Sequence, residues 1–234
     1  MKWIGLIGGM SWESSAEYYR VINELVRVQR GGLHSAQIIM ASVDFAQIEA
    51  YQHRGEWDMA GHTLAQVAQR LVAAGADMVV LCTNTMHKVA PTITADLHVP
   101  FVHIADATAQ RIVAQHIRRI GLLGTRYTME QDFYVGRLRD QYGLDVIVPD
   151  ADERADVNRI IYDELCLGVT RDTSRQRYRD IMAHLVQRGA QGVILGCTEI
   201  TLLVNATDTT VPVFDTTRIH AEVAVELALA PSAQ

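Results

Sequence analysis

One stretch of this chain occurs twice, and few folds accommodate that. Gly75-Ala-Asp-Met-Val-Val-Leu-Cys-Thr-Asn-Thr85 aligns without gaps to Gly189-Ala-Gln-Gly-Val-Ile-Leu-Gly-Cys-Thr-Glu199, with Thr83 opposite Cys197. Each copy reads as a buried strand ending in a polar turn that bears a hydroxyl or a thiol. Ile4-Gly-Leu-Ile-Gly-Gly-Met10 likewise resembles Ile120-Gly-Leu-Leu-Gly-Thr-Arg126, and Val99-Pro-Phe-Val-His103 is echoed by Val211-Pro-Val-Phe-Asp215. Matches between apolar strands arise easily by chance, but three pairs in the same order and nearly the same register indicate an internal duplication. The period is about half of the 234 residues, so the repeat predicts two related domains and not a solenoid.

Strand-like runs near residues 2–7, 36–43, 77–82, 100–104, 119–123, 144–148, 191–196 and 211–214 alternate with helical periodicity over 13–29, 57–73, 105–115, 127–141, 153–165, 172–188 and 216–229. Continuous apolar strands such as Met78–Leu81 suit a sheet covered on both faces. The alternation predicts an α/β fold with parallel sheets. Ligands of such sheets bind beyond the strands' carboxyl ends. Those ends carry Gly8-Gly-Met-Ser11, Cys82-Thr-Asn-Thr85, Gly124-Thr-Arg126 and Gly196-Cys-Thr-Glu199, which can converge on one cleft between the halves. Ser11, or Ser14 with Glu17, is expected to cap the first helix.

The composition narrows the chemistry. A formal charge of −6 argues against nucleic-acid binding, and no run approaches the length of a membrane span. The chain runs from Met1 straight into a glycine-rich turn without a signal-peptide core, and its three cysteines do not form a disulfide framework, so a cytoplasmic location is expected. Lys2 and Lys88 are the only lysines. Neither is placed as a Schiff-base anchor, so chemistry without pyridoxal phosphate is expected. The nine histidines show no metal-ligand spacing, and no metal is expected.

Cys197 follows a strand and precedes a predicted helix, whose N-terminal amides would favour thiolate. Its bland alternative is a small buried residue that fills space. Thr83 alone would read as a helix cap or a strand-end hydroxyl bonded to backbone. The repeat raises both to catalytic candidates. Cys82 points to the opposite sheet face from Thr83 and is expected to be core, and Cys166 to be packing. Gly5, Gly8 and Gly9 lack dinucleotide-loop spacing, so the turn is read as one that holds a small carboxylate. Gln52–Asp58 is read as a polar loop from which Gln52 or Arg54 could reach the cleft.

Ile4-Gly-Leu-Ile-Gly-Gly-Met-Ser11, Cys82-Thr-Asn-Thr-Met-His87, Gly124-Thr-Arg-Tyr-Thr128 and Gly196-Cys-Thr-Glu199 together resemble the aspartate/glutamate racemase family over essentially the whole chain. With Arg54-Gly-Glu-Trp-Asp58 and Leu123–Phe133 they are most like its enterobacterial branch, of broad or L-aspartate/glutamate specificity. The resemblance implies two Rossmann-like domains related by pseudo-two-fold symmetry, residues 1–100 with 214–234 and 101–213, the last strand and helix returning to the first. It also implies cofactor-free racemisation and a homodimer. Met10, Gln52, Asn84, Thr85, Thr125 and Thr198 become candidate substrate contacts, with Arg54 and Arg126 both open for a distal carboxylate. The family's usual pair is two cysteines, whereas here Thr83 precedes Asn84-Thr85. A hydroxyl is a poor stored base, so Cys197 is expected to remove the α-proton and Thr83 to deliver one to the opposite face, with a slow reverse direction. Single-thiol decarboxylation or isomerisation of a small dicarboxylic acid, and non-catalytic amino-acid binding, are the competing expectations.

Overall fold

The computed structural model describes residues 1–231. It contains two parallel four-stranded sheets built alike. In the first, β1 (Ile4–Gly8), β2 (Ile38–Ser42), β3 (Met78–Leu81) and β4 (Phe101–Val102) lie in the order β2-β1-β3-β4. In the second, β5 (Arg119–Gly124), β6 (Asp145–Ile147), β7 (Val193–Gly196) and β8 (Val213–Asp215) lie in the order β6-β5-β7-β8. The registers reproduce the sequence repeat: Ile7 pairs with Leu81 as Leu123 pairs with Leu195, and Val79 with Phe101 as Val193 with Val213.

The first sheet is buried on both faces, as continuous apolar strands require. Ile4, Leu6, Met78, Val80 and Cys82 pack with α1 (Trp12–Arg30) and α10 (Thr216–Leu229) through Tyr18, Ile22, Val26, Ala221 and Val225. Ile7, Val79 and Leu81 point the other way, into a cluster with Ile48 of α2 (Phe45–Arg54), Leu64, Ala68 and Leu71 of α3 (Trp57–Ala73), and Ile93 of α4 (Ala90–Thr94). Around the second sheet run α5 (Ile104–Ala114), α6 (Arg126–Glu130), α7 (Asp132–Tyr142), α8 (Ala151–Asp163) and α9 (Asp172–Gln187), with α8 and α9 packed on β5.

The chain divides into two compact units, Met1–Ile104 with His220 onward, and Ala105–Ile219. This corrects two expectations. Phe101–Val102 pairs with β3 and belongs to the first unit, and β8 pairs with β7 and stays in the second. Only the last helix returns to the first sheet, because its apolar stripe of Ala221, Ala224, Val225 and Ala228 is covered there. The crossings therefore fall after the fourth strand of each sheet.

Residues 45–54, partly read as a loop, form α2. Asp44 caps it by accepting the Ala46 N–H at 3.0 Å, and Gly55 at φ +73° ends it. Gln52 takes a buried position on its inner face, which blurred the apolar period. The helix expected over 127–141 breaks at the extended Gln131 into α6 and α7. Ser11 is the cap of α1, accepting the Ser14 N–H at 3.3 Å. Among the described residues no helix is long and apolar enough to cross a membrane.

Candidate active site

Each sheet reverses its strand order at a central pair, β1/β3 in one and β5/β7 in the other, and at such a point the carboxyl ends open a crevice. At the first, Met10 and Ser11 follow β1, and Cys82, Thr83, Asn84 and Thr85 follow β3. At the second, Thr125 follows β5, and Cys197, Thr198 and Glu199 follow β7. Met10, Asn84, Thr85, Thr125, Thr198 and Glu199 are all buried, whereas Thr83 and Cys197 are partly open. The two positions matched by the repeat are thus the accessible ones in otherwise closed turns. Cys82 is fully buried on the α1/α10 face, and burial pushes its thiol far above the usual range. Cys166, half-buried, lies in the 3₁₀ turn Leu165–Leu167.

The first turn is tied down from several sides. Gln52 donates from Nε2 to the Met86 sulfur at 2.9 Å, which joins α2 to the 3₁₀ turn Thr85–Val89. His87 donates from Nδ1 to the Thr83 carbonyl at 2.7 Å. Lys88 lies 3.8 Å from the Trp57 ring centroid, and burial lowers its pKa. In the Gly8–Gly9 turn, expected to hold a small carboxylate, three of the amides are already bonded within the turn. Ser15 Oγ accepts the Gly9 N–H at 2.7 Å, and Ser11 takes the Ser14 and Ser15 amides, so these donors are spent internally. Gly9 itself, at φ +95°, lies against the Val43 backbone where a Cβ would not fit.

The second turn carries different chemistry. A Cβ on Gly196 would lie 2.8 Å from the Leu123 carbonyl, so only glycine lets β5 and β7 meet just before the cysteine. Cys197 Sγ donates to Glu199 Oε2 at 2.9 Å. Burial first, and then the Glu199 carboxylate, raise the thiol well above its usual pKa. This corrects the expectation of a helix-stabilised thiolate: the helix after Cys197 is only the 3₁₀ turn Thr198–Leu202, and it brings an acid into its first turn. Thr125 caps α6, accepting the Thr128 N–H at 3.4 Å.

Neither arginine proposed for a distal carboxylate is buried. Arg54 pairs with Glu56 at 2.8 Å, and Arg126 is exposed, its backbone N–H donating to Asn158 at 2.8 Å. Among the described residues no group of three His, Cys, Asp or Glu is placed to hold a metal ion. Sequence reasoning missed Glu199 and His87. Both stand inside the quoted motifs, and an acid two residues from a candidate thiol was the available signal.

The chain matches the model of a family described as Asp/Glu/Hydantoin racemase over residues 7–224. Among solved structures it is similar to a proposed Asp/Glu racemase from Yersinia pestis, at 59% identity over 98% of this chain and 100% of that one, with a TM-score of 0.94. An aspartate racemase homologue from Pyrococcus horikoshii is 35% identical over 98% and 100% of the two chains, with a TM-score of 0.87. The aspartate racemase of Picrophilus torridus, at 19% identity over 97% and 94%, shares the fold with a TM-score of 0.76.

Proposed function

This chain belongs to the Asp/Glu/hydantoin racemase family, and we propose that it is a cofactor-independent racemase of aspartate- or glutamate-type amino acids. The observation that carries this reading is the pair at Thr83 and Cys197: matched by the repeat and partly open within closed turns. Racemisation needs a group on each face of the α-carbon, one to take a proton and one to give it. The aspartate racemase homologue from Pyrococcus horikoshii, 35% identical, supports the substrate class.

In the proposed cycle, Glu199 accepts the Cys197 proton along their hydrogen bond, leaving a thiolate and a neutral carboxyl. The thiolate takes the α-proton and becomes a thiol again, and the carbon is left as an enediolate. Thr83 gives its hydroxyl proton to the opposite face and recovers one from water. The hydroxide so formed is neutralised by the proton held on Glu199, and the cycle closes. Asn84, Thr85, Thr125 and Thr198 supply hydrogen bonds to the substrate, with Met10 and Gln52 shaping its surroundings. A hydroxyl is far less acidic than a thiol, so the direction starting at Cys197 is the faster one. In the same reading the enzyme works as a cytoplasmic homodimer, whose subunit count sedimentation velocity checks.

The deciding test is deuterium uptake at Cα of L- and D-aspartate and glutamate in heavy water. Uptake from one enantiomer, lost by about 10³-fold in Cys197→Ala, is expected. Full uptake in that variant sinks the reading. The presence of one thiol instead of two favours, as a second reading, decarboxylation or isomerisation of a small dicarboxylic acid. Release of carbon dioxide without α-exchange selects it.

A further inference from the structure

His87 is 2% exposed, and both of its ring nitrogens are committed. Nδ1 lies 2.7 Å from the Thr83 carbonyl oxygen, which can only accept, so Nδ1 carries the hydrogen. Nε2 lies 3.2 Å from the Ile104 backbone nitrogen, which can only donate, so Nε2 is the bare acceptor. The ring is therefore a neutral imidazole in one tautomer, strung between the turn that bears Thr83 and the first residue of α5. It is packed from the sides by His103 at 4.6 Å, Phe101 at 5.6 Å and His220 at 5.7 Å between ring centroids. His220 is fixed in the complementary tautomer, donating from Nε2 to the Val102 carbonyl at 2.7 Å and accepting the Tyr18 hydroxyl at Nδ1, 2.8 Å.

The second half of the molecule does this differently. Extending the repeat places Thr201 opposite His87. Thr201 donates to the Thr198 carbonyl at 2.8 Å, and the Cys197 carbonyl receives the Ile200 N–H at 3.2 Å. Both carbonyls are thus held from the 3₁₀ segment that follows, that of Cys197 by a backbone amide and that of Thr83 by the His87 side chain, whose other ring nitrogen is tied to Ile104. A weak acid such as a threonine hydroxyl transfers a proton only from a closely aligned position, which is the circumstance in which such a brace matters.

We infer that His87 is a positioning residue for Thr83, setting the hydroxyl's aim without touching the substrate. The inference rests on the racemase reading, and its test separates the two. Asparagine places an amide donor close to where Nδ1 stands, and glutamine places one near Nε2. With L-aspartate or L-glutamate in heavy water, two rates are followed: deuterium uptake with retention, which needs Cys197 and Glu199 but not Thr83, and inversion, which also needs Thr83. His87→Gln is expected to lower inversion by about tenfold with retention exchange within about twofold, and His87→Asn to keep inversion within about threefold of wild type. Equal loss of both rates in both variants, or no loss in His87→Gln, overturns it. Long-range ¹H–¹⁵N correlation of the imidazoles adds a readout independent of turnover. The Nδ1–H tautomer of His87 is expected, with the Thr83 amide resonance shifting in His87→Gln and far less in His87→Asn. The Nε2–H tautomer, or a Thr83 resonance indifferent to both variants, overturns the assignment. If the wild-type protein exchanges no α-proton, the racemase reading and the hydroxyl-aiming role fall together, while the NMR result still decides whether His87 holds the Thr83 turn.

Discussion

The turn after β3 and the turn after β7 hold the same place in their sheets and the same pattern of burial, yet they hold different reagents. One presents a hydroxyl, its carbonyl braced by the imidazole of His87, which is itself anchored to Ile104 at the start of α5. The other presents a thiol bonded to a carboxylate within the turn. Duplication therefore preserved the backbone frame, which sheet register enforces, and left side-chain chemistry free to diverge. In the proposed cycle the thiol side passes its proton to Glu199, and the hydroxyl side exchanges with water.

The strongest way to break this comparison is to remove the carboxylate. Glu199→Gln cannot take the thiol proton, so α-exchange at pH 7 is expected to fall by about 10³-fold, within the usual worth of a positioned acid–base group. Loss of the negative charge also relieves the largest cause after burial that raises the thiol pKa. Exchange in the variant should thus recover as pH rises and solvent ionises Cys197. A variant with wild-type activity and pH profile removes Glu199 from the mechanism.

The units can next be separated by acid. Burial lowers His220 in the first unit from 6.5 to about 4, so the unfolded chain takes up this proton first. Stability is lost as pH falls from 6.5 to about 4, by about 3 kcal/mol from this group. Asp208 in the second unit is lowered from 3.8 to about 2, chiefly by its hydrogen bond from Arg175. Its contribution is present above 3.8 and is lost only below that value. Urea midpoints at pH 7 and pH 4.5 check this. His220→Gln should lose clearly less stability over that interval than wild type, and coincident losses refute the assignment.

Much of the frame was legible in advance because a parallel strand buried on both faces needs a continuous apolar run, and a repeat shows where each run pairs. The repeats set Leu81 opposite Leu195 and Ile7 opposite Leu123, and the structure pairs Ile7 with Leu81 and Leu123 with Leu195 in equivalent register. What escaped depended on tertiary surroundings. Gln52 sits where a helical period calls for an apolar residue, because its amide has the Met86 sulfur as a partner. Cys197 reads as a helix-capped thiolate until Glu199 is seen beside it. His87, His103 and His220 are far apart in sequence, and only the fold gathers their rings.

The smallest expected effect concerns the asymmetry itself. Thr83→Cys restores a thiol on the first side, and α-exchange of the slower enantiomer should rise by about tenfold while that of the faster one changes little. Chiral chromatography of both progress curves measures this, and an unchanged ratio between the two directions counts against Thr83 as the second group.

The hydrogen bond from Cys197 to Glu199 bears on how the protein survives its surroundings. Peroxides and alkylating reagents attack thiolates, and this thiol is held protonated beside a negative charge. Cys82 is sealed in the core and is protected in another way. Under the proposed cycle the Cys197 sulfur would therefore be masked from such reagents except while its proton rests on Glu199.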